Sequence, residues 1–142
     1  TNEKGEVTGA YRIDGVSHGN SKRMKVSLVG DSFILSREWQ SDNGFMQLPL
    51  VYDSKPLKFR DSRRSVRRAL CKEGGETFIL ESNYPMTMSS FAYYCSRHCD
   101  DAVYLDMGEY GYGYIKRYGF IRPLYIWALV CSYKQTNWLY IE

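Results

Sequence analysis

The sequence predicts an α+β fold in a single domain over residues 1–142, built as a mixed, twisted sheet with one principal crossover helix at about residues 87–99. Three observations carry this. Short runs rich in β-branched and aromatic residues recur along the chain, and one stretch alone sets apolar residues at helical spacing. With 142 residues the chain can also bury roughly two thirds of its unfolded surface in one core, so no second domain is required.

Thr1 to Arg23 is polar and glycine-bearing, with Ala10-Tyr11-Arg12-Ile13 as its strand-like piece, and is expected to be an arm or loop. Met24, Val26 and Leu28 then alternate with polar residues, Gly30-Asp31 marks a turn, and Phe33 and Leu35 resume the alternation, the pattern of a hairpin. Phe45 to Tyr52 suits another strand, closed by the turn residues Asp53-Ser54-Lys55-Pro56. Between Lys55 and Arg68 there are seven Lys or Arg against Asp61, and Arg60, Arg63, Arg64 and Arg67 are expected to form a solvated loop.

Ala69-Leu70-Cys71 returns to apolar character, and Lys72-Glu73-Gly74-Gly75 turns the chain into the strand Thr77 to Glu81. Pro85 breaks it, Thr87 suits a helix N-cap, and Met88, Phe91, Ala92, Cys95 and Cys99 recur at three- and four-residue spacing as one apolar helical stripe. Residues 77–105 therefore form a strand-helix-strand unit, for which parallel strands joined by a right-handed crossover are expected. Leu124 to Cys131 and Trp138 to Ile141 add two further apolar runs that suit core strands.

Hydrophobic residues make up 44% and charged residues 25% of the chain, which excludes a disordered or fibrous class. A net charge of +3 is too small to imply a nucleic-acid partner, and no run of about 18 apolar residues offers a transmembrane segment. Cys71, Cys95, Cys99 and Cys131 are too few and too scattered for a disulfide framework. Cys95 and Cys99 share a helix face beside His98, but a structural zinc site needs about four ligands; apolar helix-face cysteines are the better reading, and neither a metal nor a cofactor is expected. The chain also lacks a Gly-x-Ser-x-Gly elbow, a Walker loop and a dinucleotide fingerprint, which removes three common enzyme classes.

Chemistry concentrates at Asp101 to Tyr114, where an apolar strand runs into an acidic turn punctuated by Gly108, Gly111 and Gly113. Glycines there allow close approach of backbone to a ligand. Asp106 and Glu109 fall at the strand's carboxyl end, where ligands gather in open sheets with helical crossovers. Tyr110, Tyr112 and Tyr114 alternate with glycines and, if extended, share a face on which a sugar ring can stack.

This order of elements resembles the phosphodiester glycosidase domain family. Its Pro-Leu-Val-x-x-Gly-Lys-Pro segment is matched by Pro49-Leu50-Val51-Tyr52-Asp53-Ser54-Lys55-Pro56, and its Arg-x-Ala strand by Arg67-Arg68-Ala69. The hydrophobic strand follows at Thr77 to Glu81, and the helix with a Met-Thr opening at Met86 to Cys99. The family's strand ending in Leu-Asp-Gly-Gly-Gly-Ser is matched by Leu105-Asp106-Met107-Gly108, with Met107-Gly108-Glu109-Tyr110 in place of the glycine run and serine. The resemblance covers about Leu48 to Tyr114, and the closing Gln135-Thr136-Asn137-Trp138 is similar to the end of short members from Bacteroides-type gut bacteria.

The resemblance implies that the ligand is a sugar whose anomeric oxygen is joined to a phosphodiester, and that the protein binds and hydrolyses it. Phosphate is already a good leaving group, so activation of water or attack by a carboxylate, with neutralisation of phosphate charge, is the required chemistry. Asp106, Glu109 and Glu81 are the carboxylate candidates, Asp106 first. Arg68 is the candidate phosphate contact, because a guanidinium grips phosphate with two parallel hydrogen bonds; strand alternation sends Arg67 to the opposite face. Gly108, Tyr110, Gly111 and Tyr112 are the remaining substrate-binding candidates. The alternative is a non-catalytic carbohydrate or envelope-binding module, favoured by the bulk of Met107, Glu109 and Tyr110. The chain begins at Thr1 without a methionine, and export to the periplasm or cell envelope is the expected setting.

Overall fold

The computed structural model describes residues 9–105 and the backbone of 113–115 and 119–121. The first sheet contains β1 (Tyr11–Ile13), β2 (Val16–His18), β3 (Met24–Val29), β4 (Ser32–Ser36) and β5 (Gly44–Gln47), in the order β2-β1-β5-β3-β4. The second contains β6 (Pro49–Tyr52), β7 (Lys55–Pro56), β8 (Arg68–Glu73), β9 (Glu76–Glu81) and β10 (Asp101–Leu105), in the order β7-β6-β10-β8-β9. The helix α1 spans Met88–Cys95, and β11 (Gly113–Ile115) pairs with β12 (Gly119–Ile121).

The α+β class holds, and the hairpin expected around Gly30-Asp31 is β3–β4, paired from Lys25↔Ser36 to Val29↔Ser32. The amino-terminal region departs from an arm. Residues 11–18 form a hairpin across Asp14-Gly15, its strands tied by Tyr11 stacked on His18 at 4.9 Å, and Tyr11↔Phe45 pairing joins it to the sheet. The strand-like piece Ala10 to Ile13 contains β1, whereas three residues are too few to show alternation at β2, which the sequence pattern passed over.

The second sheet is the middle layer. On one face, Leu70 and Val103 meet Val26, Phe33 and Leu35 of the first sheet. On the other, Val51, Ala69, Cys71 and Ala102 meet Met88, Phe91, Ala92 and Cys95 of α1. Burial on both faces explains why Ala69-Leu70-Cys71 and Ala102-Val103 are continuously apolar rather than alternating. Each large side chain buried fully here, such as Phe33, Phe91 or Leu50, contributes about 1.5–3 kcal/mol relative to exposure.

Thr87 is the N-cap of α1, its side chain accepting from the Ser90 N–H at 3.2 Å. The regular helix stops at Cys95, four residues before the expected end, because Arg97 and His98 donate three residues back to the carbonyls of Tyr94 and Cys95 and tighten the last turn. The stripe nevertheless continues to Cys99, which is buried.

The strand-helix-strand unit is present as β9-α1-β10, with a different neighbour relation from that expected. β8 lies between β9 and β10 and pairs antiparallel with both, so β9 and β10 run parallel without touching, and every ladder among the described residues is antiparallel. The Gly74-Gly75 turn, with φ of 55° and 96°, folds β9 back onto β8 and leaves the other edge of β8 to β10. Among the described residues no helix is long and apolar enough to cross a membrane.

Candidate functional site

Three strand ends converge at one end of the second sheet. β8 opens at Arg68, β9 closes at Glu81 directly opposite it, and β10 ends at Leu105 on the other side of Arg68. Cross-strand register therefore puts Arg68 and Glu81 side by side, at the place where the chain leaves β10. Arg68 Nε donates to Glu81 Oε2 at 2.8 Å and Nη2 bonds the same oxygen. The pair is partly covered, with side-chain exposures of 19% and 31%. Among the described residues Arg68 Nη1 and Glu81 Oε1 make no bond.

Arg67, next in sequence, lies on the opposite face, as alternation requires, but it is not part of a solvated loop. It is buried at 3% exposure, where its Nε donates to the Met86 carbonyl at 2.8 Å and Nη2 donates to Asp61 Oδ2 at 3.1 Å and to the Arg63 carbonyl at 2.7 Å. Its guanidinium also stands 5.9 Å from the Tyr104 ring centre. Arg60, Arg63 and Arg64 are exposed as expected. Arg67 thus organises the loop and β10 behind the site and is not available to a ligand.

Of the carboxylate candidates, Glu81 is the one the described residues contain; Asp106 and Glu109 lie outside them, as do Gly108, Tyr110, Gly111 and Tyr112. The structure brings Arg68 and Glu81 together, which the sequence named separately and assigned to different tasks.

Sequence spacing missed a second cluster. Cys71 on β8, Cys95 at the end of α1 and Cys99 beyond it are free thiols buried together behind the second sheet. Cys99 Sγ lies 3.0 Å from the Cys95 carbonyl oxygen, and the Asp100 N–H donates to the Lys72 carbonyl at 2.8 Å, which holds Cys99 beside Cys71. Hydrogen bonds to Cys95 and Cys99, with burial, push the Cys71 thiol far up. Against the lowering pull of Cys71, the Cys99 contact and burial push Cys95 up to about 12. Hydrogen bonds from Cys71 and Cys95 hold Cys99 down at about 4. Among the described residues no group of three or more His, Cys, Asp or Glu side chains is arranged to hold a metal ion. His98 packs edge-on to Tyr94, with ring centres 4.9 Å apart.

Compared with family models, characterised proteins and solved structures, the chain matches none.

Proposed function

We propose that the protein binds, and hydrolyses, a sugar joined to a phosphodiester through its anomeric oxygen, in an exported or cell-envelope setting. The observation that carries this reading is the Arg68–Glu81 pair set against the carboxyl end of β10, one residue before Asp106. A guanidinium fixed by a neighbouring carboxylate is pre-oriented, and its remaining N–H groups offer a phosphate charge neutralisation without the entropy of ordering a free side chain. In this reading Asp106 supplies the carboxylate that attacks or activates water, Glu109 is its reserve, and Glu81 holds Arg68. Gly108 and Gly111 admit the ligand close to the backbone, and Tyr110 and Tyr112 take the sugar ring.

The test is release of free sugar from a panel of sugar 1-phosphodiesters by the wild-type protein and by Asp106→Asn, Arg68→Ala and Arg68→Lys variants. Asp106→Asn is expected to reduce kcat by about a hundredfold or more, as removal of a base or nucleophile does. Arg68→Ala is expected to raise KM and lower kcat, with partial recovery in Arg68→Lys. Turnover unchanged in Asp106→Asn would overturn the assignment.

A second reading, a non-catalytic carbohydrate-binding module, is favoured by the engagement of Glu81, whose bonded oxygen is committed to Arg68 rather than to a reacting group. Glycan binding without turnover, unchanged by Asp106→Asn, would select it.

A further inference from the structure

Away from Arg68 and Glu81, an open groove of about 520 Å³ is lined by Ser21, Lys22, Arg23, Lys25 and Arg37 along its walls and by Met24, Met46, Tyr52 and Leu57. Four cations face this one space, and among the described residues no acidic side chain lines it. Two are already positioned. Arg23 Nη1 donates to Gln47 Oε1 at 3.0 Å, and Lys25 Nζ donates to Glu38 Oε2 at 2.9 Å while standing 6.0 Å from the Trp39 ring centre. Lys22 and Arg37 are exposed and make no hydrogen bond or ion pair among the described residues.

We propose that this groove binds a phosphorylated small molecule carrying a ring, with two or more negative charges on the phosphate end. Like charges brought together repel one another, and an anion that bridges them relieves that repulsion and gains charge-assisted hydrogen bonds. Two arginines offer planar forks that match phosphate, and two lysines offer point charges, a set suited to a diphosphate or to a doubly ionised monoester. The apolar part of the ligand meets Met24, Met46 and Leu57, which adapt to irregular shapes, and Tyr52, which is 42% exposed and offers a ring face. The volume falls within the range of about 300–1,000 Å³ typical of small-molecule sites, which favours a compact ligand. A sugar phosphate and a nucleoside diphosphate share this chemistry. The groove shares no residue with the Arg68–Glu81 site, so the proposal stands whether or not the protein hydrolyses phosphodiesters.

The experiment is calorimetric titration of the whole chain at low ionic strength with adenosine diphosphate, glucose 1-phosphate, inorganic pyrophosphate, adenosine and glucose, repeated with a Lys22→Ala/Arg37→Ala double variant and with Tyr52→Ala. Both wild-type cations are exposed, so the double variant is expected to keep its thermal midpoint. Saturable binding of at least one ring-bearing phosphate, absent for adenosine and glucose and weakened by about tenfold or more in the double variant, is the expected result. Tighter binding of the nucleotide than of the sugar phosphate, or the reverse, identifies the ring. Tyr52→Ala is expected to remove the advantage of the ring-bearing phosphate over pyrophosphate. Affinity unchanged in the double variant, no saturation by any phosphate probe, or binding confined to a nucleic-acid strand offered in parallel would overturn the proposal. Arg68→Ala must leave the affinity for adenosine diphosphate and pyrophosphate unchanged; loss of their binding in that variant would move the anion to the end of β10 and overturn it also.

Discussion

Arg67 and Arg68 are neighbours in sequence with opposite fates, and strand alternation is the cause. Arg68 turns toward the face shared with the first sheet and remains partly open beside Glu81, while Arg67 turns under the second sheet and is buried. A buried guanidinium is tolerated only when its donors are satisfied, and Arg67 reaches two carbonyl oxygens and Asp61. Removing it leaves the Met86 and Arg63 carbonyls without that donor and opens a hole beside Met88 and Tyr104. Arg67→Ala is expected to destabilise the protein by about 3 kcal/mol or more in urea unfolding, and Arg67→Lys by about 2 kcal/mol, since a lysine lacks the planar fork. Equal stability of Arg67→Lys and wild type would show that charge alone suffices. The residue type and the alternation were both visible in the sequence; the buried partners were not, because the fold-back of the loop carrying Asp61 and Arg63 and the approach of Met86, nineteen residues on, are set by tertiary packing.

At the scale of elements, two hairpin turns are joined through one aspartate. Asp53 and Ser54 take φ of 51° and 58°, a left-handed conformation that ordinary side chains resist, and Gly74-Gly75 turn the neighbouring hairpin. Asp100 accepts from Ser54 Oγ at 3.0 Å and from the Gly74 N–H at 3.3 Å, its carbonyl accepts from the Ser54 N–H at 2.8 Å, and Asp101 Oδ1 accepts from the Asp53 N–H at 3.2 Å. The strained Asp53-Ser54 turn is held by Asp100, just before β10, and by Asp101, its first residue. Asp100→Ala is expected to cost about 1–2 kcal/mol, the worth of two exposed or partly exposed hydrogen bonds, and to speed amide exchange at Gly74. Unchanged exchange at Gly74 would show that the two glycines hold that turn unaided. The turns themselves were legible from their Asp, Ser and Gly residues, as was the N-cap at Thr87. The lengths were less so: α1 ends early through tightened bonds, and β2 is too short to announce itself. Gly44 shows another local limit, since a Cβ there would collide with the Val26 carbonyl and approach the Trp39 ring to 2.8 Å, a constraint created by β3 lying against β5.

For the whole molecule, the three thiols behind the second sheet link protonation to folding. Cys71 and Cys95 are held protonated in the folded state, so once the unfolded thiols begin to ionise at about pH 9 the unfolded state binds fewer protons than the folded one. Stability therefore falls as pH rises above 9, by about 1.4 kcal/mol per pH unit for each such thiol. Cys99 has the opposite sign: its depressed value adds stability as pH rises from about 4 toward 9, and it adds no slope beyond that, where both states are ionised. Urea midpoints measured under reducing conditions from pH 7 to 11 should show the alkaline loss, and Cys71→Ala should remove its share. An alkaline slope identical in Cys71→Ala would mean that other groups cause it. The same three-layer arrangement accounts for the continuous apolar runs, because a sheet covered on both faces has no solvent side to mark.

By itself, the sequence determined the α+β class, the β3–β4 hairpin, the apolar stripe and cap of α1, the turn positions and the opposite orientations of Arg67 and Arg68. These follow from local rules of periodicity, backbone conformation and capping, which act within a few residues. Tertiary structure alone decided that β8 separates β9 from β10, that Arg68 meets Glu81, that Cys71 of β8 joins Cys95 and Cys99 in one pocket of core, and that Lys22, Arg23, Lys25 and Arg37 face one groove. Each of these depends on which strand occupies which edge, and edge choice is settled by packing among distant segments, which no local pattern records.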